Sequence, residues 1–129
     1  MPTSKRSVED AIEAGALYCD QRNYRMAIAE YDAGLANQKV AILYDLRAIA
    51  YYRLGQYERA LVDHTEAIEL DKENANYWFN RGLTYFALTR LVEALEDFRR
   101  ALIRDPEHLC AHIASGRVYA QKRDYPAAM

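Results

Sequence analysis

Tyr51-Tyr52-Arg53-Leu54-Gly55-Gln56-Tyr57-Glu58-Arg59-Ala60 returns as Tyr85-Phe86-Ala87-Leu88-Thr89-Arg90-Leu91-Val92-Glu93-Ala94, an offset of 85 − 51 = 34. Tyr119, Tyr125 and Ala128 repeat the phrase at the same offset, 119 − 85 = 34, and Tyr18, Tyr24 and Ala27 precede it by 51 − 18 = 33. Self-similarity at this period marks stacked helical units, none of which can bury its apolar face alone. One residue is missing near the first junction.

Each unit reads as a helix, a tight turn and a second helix. Leu43, Leu46, Ile49 and Ala50 run at steps of three and four, Leu54-Gly55-Gln56 interrupts, and Ala60, Leu61, His64, Ala67 and Ile68 resume the period. Gly55 suits a left-handed residue that ends the first helix, and Asp71 and Asn74 supply turn or capping chemistry after the second. The next pair runs from Tyr77 to Leu88 and from Val92 to Ile103, with a turn at Thr89-Arg90 and a stop at Asp105-Pro106. Small residues recur where helices approach closely: Gly15, Ala48, Gly82 and Gly116 in the first helices, and Ala27, Ala60, Ala94 and Ala128 in the second.

Hydrophobic residues make up 51% and charged residues 28% of the 129, the balance of an ordinary globular protein with a packed core. A net charge of −2, with no dense basic run, argues against nucleic acid as a partner. The opening Met-Pro-Thr-Ser-Lys-Arg-Ser leads into Val8-Glu9-Asp10 without an apolar stretch, so neither a secretory signal nor membrane insertion is expected. Cys19 and Cys110 stand alone in different repeats and read as reduced thiols of a cytoplasmic protein.

Trp78, Gly82, Tyr85, Ala94, Phe98, Ala101 and Pro106 follow an order of aromatic, small, aromatic, Ala, aromatic, Ala and Pro. On these residues, and on the recurring tyrosines, the chain resembles the tetratricopeptide repeat (TPR) family. Gly34 in place of the usual Ala, Leu91 in place of an aromatic and Lys72 in place of Pro are the departures. The resemblance implies an all-α, right-handed α-solenoid of stacked antiparallel helix pairs. It would comprise repeats at about 8–40, 41–74 and 75–108 and a partial fourth at 109–129, after a flexible tail over 1–7. Asp124-Tyr125-Pro126 reads as the start of a further helix, so the helix before it is expected to leave apolar surface for another molecule or a longer chain to cover.

In this family the first helix of each pair lines a concave groove that binds peptides. Carried onto this chain, the resemblance implies a peptide-binding groove of Ile42, Asp45, Leu46, Ile49, Tyr52, Arg53, Asn76, Phe79, Asn80, Leu83, Phe86, Ile113 and Arg117, with Ile12 and Ala16 from the first repeat. Most are apolar, so the first helices are apolar almost all round, and exposed residues of this size call for an occupant. The chaperone-binding branch grips a C-terminal carboxylate with Lys, Asn and Arg. Here the corresponding places hold Ile12, Ala16 and Leu46, and only Asn80 suits such a clamp. The expected function is therefore an adaptor or scaffold for an apolar or amphipathic segment of a protein partner. Asn76 and Asn80 would bond the peptide backbone, and Arg53, Arg117 and Asp45 would set its direction. The alternative is a structural module that self-associates as a homo-oligomer or forms part of a larger protein.

No Gly-rich phosphate loop, nucleophile elbow or convergent acid–base set is present, so neither an enzyme nor a cofactor is expected. His108-x3-His112 puts two imidazoles on one helical face, the spacing of a metal pair. His112 nevertheless stands one repeat after Trp78, and a packed structural role is expected for it. No metal is expected. His64, aligned with Tyr31 and Phe98, reads as a core residue.

Overall fold

The computed structural model describes residues 6–123, and among them are seven α-helices and no strand. These are α1 Val8–Asp20, α2 Tyr24–Asn37, α3 Ala41–Arg53, α4 Tyr57–Leu70, α5 Ala75–Ala87, α6 Leu91–Arg104 and α7 Leu109–Arg123. Tyr125, Pro126 and Ala128, on which a further helix is expected to begin, lie outside the described residues. The chain divides into two compact units, residues 1–71 with α1 to α4 and residues 72–129 with α5 to α7.

One turn joins the helices of every pair. Asn23 N–H donates to Tyr18 O at 2.8 Å, Gln56 to Tyr51 at 2.9 Å and Arg90 to Tyr85 at 2.9 Å. The preceding residue donates three places back: Arg22 to Cys19, Gly55 to Tyr52 and Thr89 to Phe86, each at 2.9 Å. This double closure is the Schellman motif, which satisfies carbonyls that a helix end would otherwise orphan. It requires a left-handed residue, and Arg22, Gly55 and Thr89 have φ of 58°, 77° and 57°. Glycine takes that conformation freely, whereas Arg22 and Thr89 hold it against the clash of their Cβ atoms.

Within the first unit α1, α2 and α3 bury Ala11, Ala27, Tyr31, Leu35, Leu43 and Ala50. Burial first, and then Cys19 Sγ at 3.8 Å, push the Tyr31 phenol well above the usual range, so it stays neutral. His64 is 1% exposed and its Nδ1 lies 3.3 Å from Asp45 Oδ1, a core position as the alignment with Tyr31 implied. The second unit buries Leu91, Ala94, Phe98, Ala114 and Val118. His112 departs from the packed role of Trp78. It is exposed and donates from Nε2 to Pro106 O at 2.9 Å, while Trp78 donates to Lys72 O at 2.9 Å beneath the guanidinium groups of Arg81, Arg100 and Arg104.

A buried ion pair crosses α3 to α4 and recurs from α5 to α6. Arg47 grips Asp63 through two bonds of 2.7 and 2.9 Å, and Arg81 grips Asp97 through two of 2.8 and 2.9 Å. Asp63 and Asp97 are 3% and 2% exposed. Arg6, just before α1, meets Glu30 of α2 at 2.6 Å. Burial outweighs the attraction of Arg81 and holds the Asp97 carboxyl above its ordinary range, so the pair orients the helices at a desolvation cost.

Two stability measurements follow from these features. Thr89→Gly should raise stability by about 1 kcal/mol in thermal or urea unfolding, and Gly55→Ala should lower it by ~1–2 kcal/mol. Arg81→Met should cost ~3–5 kcal/mol by stranding a buried carboxylate, and adding Asp97→Leu should recover much of the loss. Without Arg81 the folded protein retains the Asp97 proton more strongly than the unfolded chain does. The deficit of the single variant should therefore be small in acid and deepen as pH rises through the folded-state pKa of Asp97.

Candidate functional site

In the second unit α5 presents Phe79, Leu83 and Phe86 at steps of four and three, and α7 presents Cys110, Ile113, Ala114 and Arg117 opposite them. Together these seven side chains line a pocket of about 210 Å³. The apolar side chains of α5 are half-buried because their inner edges pack on the core of Phe98, Ala114 and Val118, while Ile113 is 53% exposed. Arg117 is exposed and is the one cation among the lining residues.

The upper end of this face is held by a polar relay. His108 Nδ1 accepts Ala111 N–H at 3.1 Å at the start of α7, which leaves the proton on Nε2 to be donated to Asn76 Oδ1 at 2.8 Å. The His108 ring also lies 4.9 Å from that of Phe79, between centroids. His108 thus spends both ring nitrogens and His112 its Nε2 on the protein, and the described residues hold no cluster of three His, Cys, Asp or Glu suited to a metal. Asn80 is half-buried, and its carbonyl accepts Thr84 Oγ1 at 3.2 Å.

In the first unit the expected groove residues separate. Ile42 and Arg53 on α3 are exposed, Ile49 is half-buried, and Tyr52 is half-buried with its ring edge-on to Tyr57 at 5.3 Å. Leu46 packs with Ile12 against the core, and Ala16 is exposed. Asp45 departs from the expected groove edge: it is 4% exposed and sits beside His64, so it cannot steer a peptide from the surface. Polar partnership with α4 draws it inward, which apolar periodicity does not reveal. Cys110 and Ala114 were not anticipated. Cys110 stands one repeat after Asn76, since 110 − 76 = 34, and that spacing was the available signal, obscured by reading the cysteine as a lone thiol.

Two family models match the chain, "TPR repeat" over residues 49–89 and "Tetratricopeptide repeat" over residues 75–108. The second TPR domain of human RPAP3, solved in complex with the HSP70 peptide SGPTIEEVD, is 30% identical with a TM-score of 0.80. The match covers 84% of this chain and 92% of that domain. The chain belongs to the tetratricopeptide repeat family. The first TPR of Spaghetti (RPAP3), bound to the HSP90 peptide SRMEEVD, is 28% identical with a TM-score of 0.85, covering 92% of this chain and 99% of that one. Human sperm-associated antigen 1 is 28% identical over 105 residues, which are 81% of this chain. The chain spans only 11% of that relative, about a tenth of its length. The all-α fold of a TPR helical solenoid is shared with these structures. Among the described residues no helix is long and apolar enough to cross a membrane.

The two thiols differ in access. Cys110 is exposed at the pocket, whereas Cys19 is half-buried beside Tyr31. In a timed titration with a thiol-reactive disulfide reagent, Cys110 should react at least about tenfold faster than Cys19. Equal rates, followed by mass spectrometry, would contradict the burial described for α1.

Proposed function

We propose that this chain is a protein-interaction adaptor, without catalytic function of its own, that takes an apolar side chain of a partner peptide into the α5–α7 pocket. The observation that carries the reading is the lining itself: Phe79, Leu83, Phe86 and Ile113 converge on one opening with Arg117 at its edge. Burying one Leu- or Phe-sized anchor there is worth about 1.5–3 kcal/mol, and Arg117 favours an acidic neighbour in the ligand. TPR domains of similar structure hold HSP70 and HSP90 peptides, which supports peptide capture as the shared task.

The chemistry of capture differs from a carboxylate clamp. Ile12, Ala16 and Leu46 stand where that clamp places polar or basic groups, and Asn76 is engaged by His108. An internal apolar anchor is therefore the proposed determinant, rather than a free C-terminus. Asn80 is proposed to bond the peptide backbone in the second unit, and in the first Ile42, Ile49 and Tyr52 are proposed to offer apolar contacts, with Arg53 setting direction. A reducing, cytoplasmic setting is proposed from the two free thiols.

Fluorescence anisotropy with short labelled peptides carrying a central Leu, Phe or Met, against SRMEEVD as the acidic comparator, tests the proposal. The apolar peptides should bind in the micromolar range and SRMEEVD at least about tenfold more weakly. Ile113→Asp should abolish that binding with helicity unchanged by circular dichroism, because Ile113 is mostly exposed and supports little of the core. Undiminished binding to Ile113→Asp would remove this pocket from the reading, and a preference for SRMEEVD would restore terminal carboxylate recognition.

A further inference from the structure

Helices α1, α5 and α7 each open on a side chain that accepts a backbone N–H of the first turn, while Val40 leaves α3 without one. Ser7 Oγ accepts Asp10 N–H at 3.1 Å, Asn74 Oδ1 accepts Asn76 N–H at 2.9 Å, and His108 Nδ1 accepts Ala111 N–H at 3.1 Å. His108 stands one repeat after Asn74, since 108 − 74 = 34. A hydroxyl or an amide accepts at any physiological pH, whereas an imidazole nitrogen accepts only while it is unprotonated. The same ring reaches across to α5: Nε2 donates to Asn76 Oδ1 at 2.8 Å, and the ring lies 4.9 Å from that of Phe79, which lines the pocket. One neutral imidazole therefore ties the first turn of α7 to the first turn of α5.

We propose that His108 is a proton-sensitive latch of the α5–α7 pocket, holding its two walls together when neutral and loosening them when protonated. The inference rests on the reading of that pocket as a peptide site. An imidazolium carries N–H on both nitrogens, so Ala111 N–H would face a second donor, and the added charge would stand at the positive end of α7. From α5 the ring is faced by Asn76 and Phe79, neither of which titrates. In its own connector the Asp105 carbonyl accepts His108 N–H at 3.1 Å and the Asp105 carboxylate accepts Glu107 N–H at 3.2 Å. Among the described residues neither Asp105 nor Glu107 is ion-paired with His108, so no carboxylate replaces the lost cap. Arg104, at the end of α6, lies over the Trp78 ring instead. On α7 the nearest titratable groups are Cys110 and His112, and protonation leaves the His112 bond intact because Nε2 stays a donor to Pro106 O. The closed pocket thus favours neutral His108. Affinity is full at a pH above the titration of the imidazole and is lost as pH falls through it.

Fluorescence anisotropy of the 129-residue chain with an end-blocked peptide that carries a central Leu and no His, Asp or Glu tests the latch at about pH 7.5 and about pH 5.5, which bracket ordinary imidazole titration. Affinity should fall at least about fivefold at the lower pH. His108→Asn, which restores the capping residue of the preceding repeat, should bring the ratio of the two affinities to about one. In heteronuclear NMR spectra of the free chain, the Ala111 amide should shift through one transition over the same range, and His108→Asn should abolish that transition. Peptide affinity that is independent of pH in the native chain, or a dependence that persists in His108→Asn, overturns the proposal. If no peptide binds at either pH, the peptide reading of the pocket fails on its own account and the amide decides the latch. A transition lost in His108→Asn then upholds it, and an unmoved Ala111 resonance overturns it.

Discussion

In the first and third helix pairs, a ring lying against a glycine fixes the distance between the two helices. At Gly15 and Gly82 the facing rings of Tyr31 and Phe98 occupy the volume that even one methyl group would need. Such contact brings backbone within reach of side chain, so other features of the pair can form at short range. Arg81 reaches Asp97 with two bonds from the helix turn adjoining Gly82, and Phe79 tilts against Phe98 at 5.8 Å between centroids. Nonpolar contact supplies the drive, while the bidentate ion pair restricts rotation and sliding of one helix on the other.

The groove side chains are consequences of that placement. Phe79, Leu83 and Phe86 give one edge to the core and the other to the pocket, so their positions are held by packing before any ligand arrives. Pre-organisation of this kind lowers the ordering entropy lost on binding. It also makes these residues poor places to interrogate binding by mutation, since a polar side chain there disturbs core and pocket together. Ile113 and Arg117, on the opposite wall, project further into solvent and separate the two effects.

Helices, turns and the repeat period were legible in the sequence because each rests on local chemistry that recurs. Gly55 marks a left-handed turn residue directly, and its equivalents Arg22 and Thr89 were hidden because the same closing hydrogen bonds hold that φ on residues that disfavour it. The pocket was legible in outline: Phe79, Leu83, Phe86, Ile113 and Arg117 meet around it. Asp45 was misplaced because its position depends on His64, in the following helix, and no apolar pattern reports a polar pair. The Arg47–Asp63 and Arg81–Asp97 pairs repeat with the period and yet stay hidden in the sequence, because charges on a helix are ordinarily solvated.

The turn within each pair also limits how such a protein can change. Asn23, Gln56 and Arg90 close one helix and flank the start of the next, so a single residue does both tasks and the three intervening segments, 21–23, 54–56 and 88–90, have equal length. An insertion there would separate the two closures and lose both. Connectors between pairs carry no such double duty, and their lengths vary: 38–40 has three residues, whereas 71–74 and 105–108 have four. The single residue missing from the otherwise regular period therefore falls where a change of length breaks no paired closure. Repeats of this design can lengthen or shorten only at the seams between pairs.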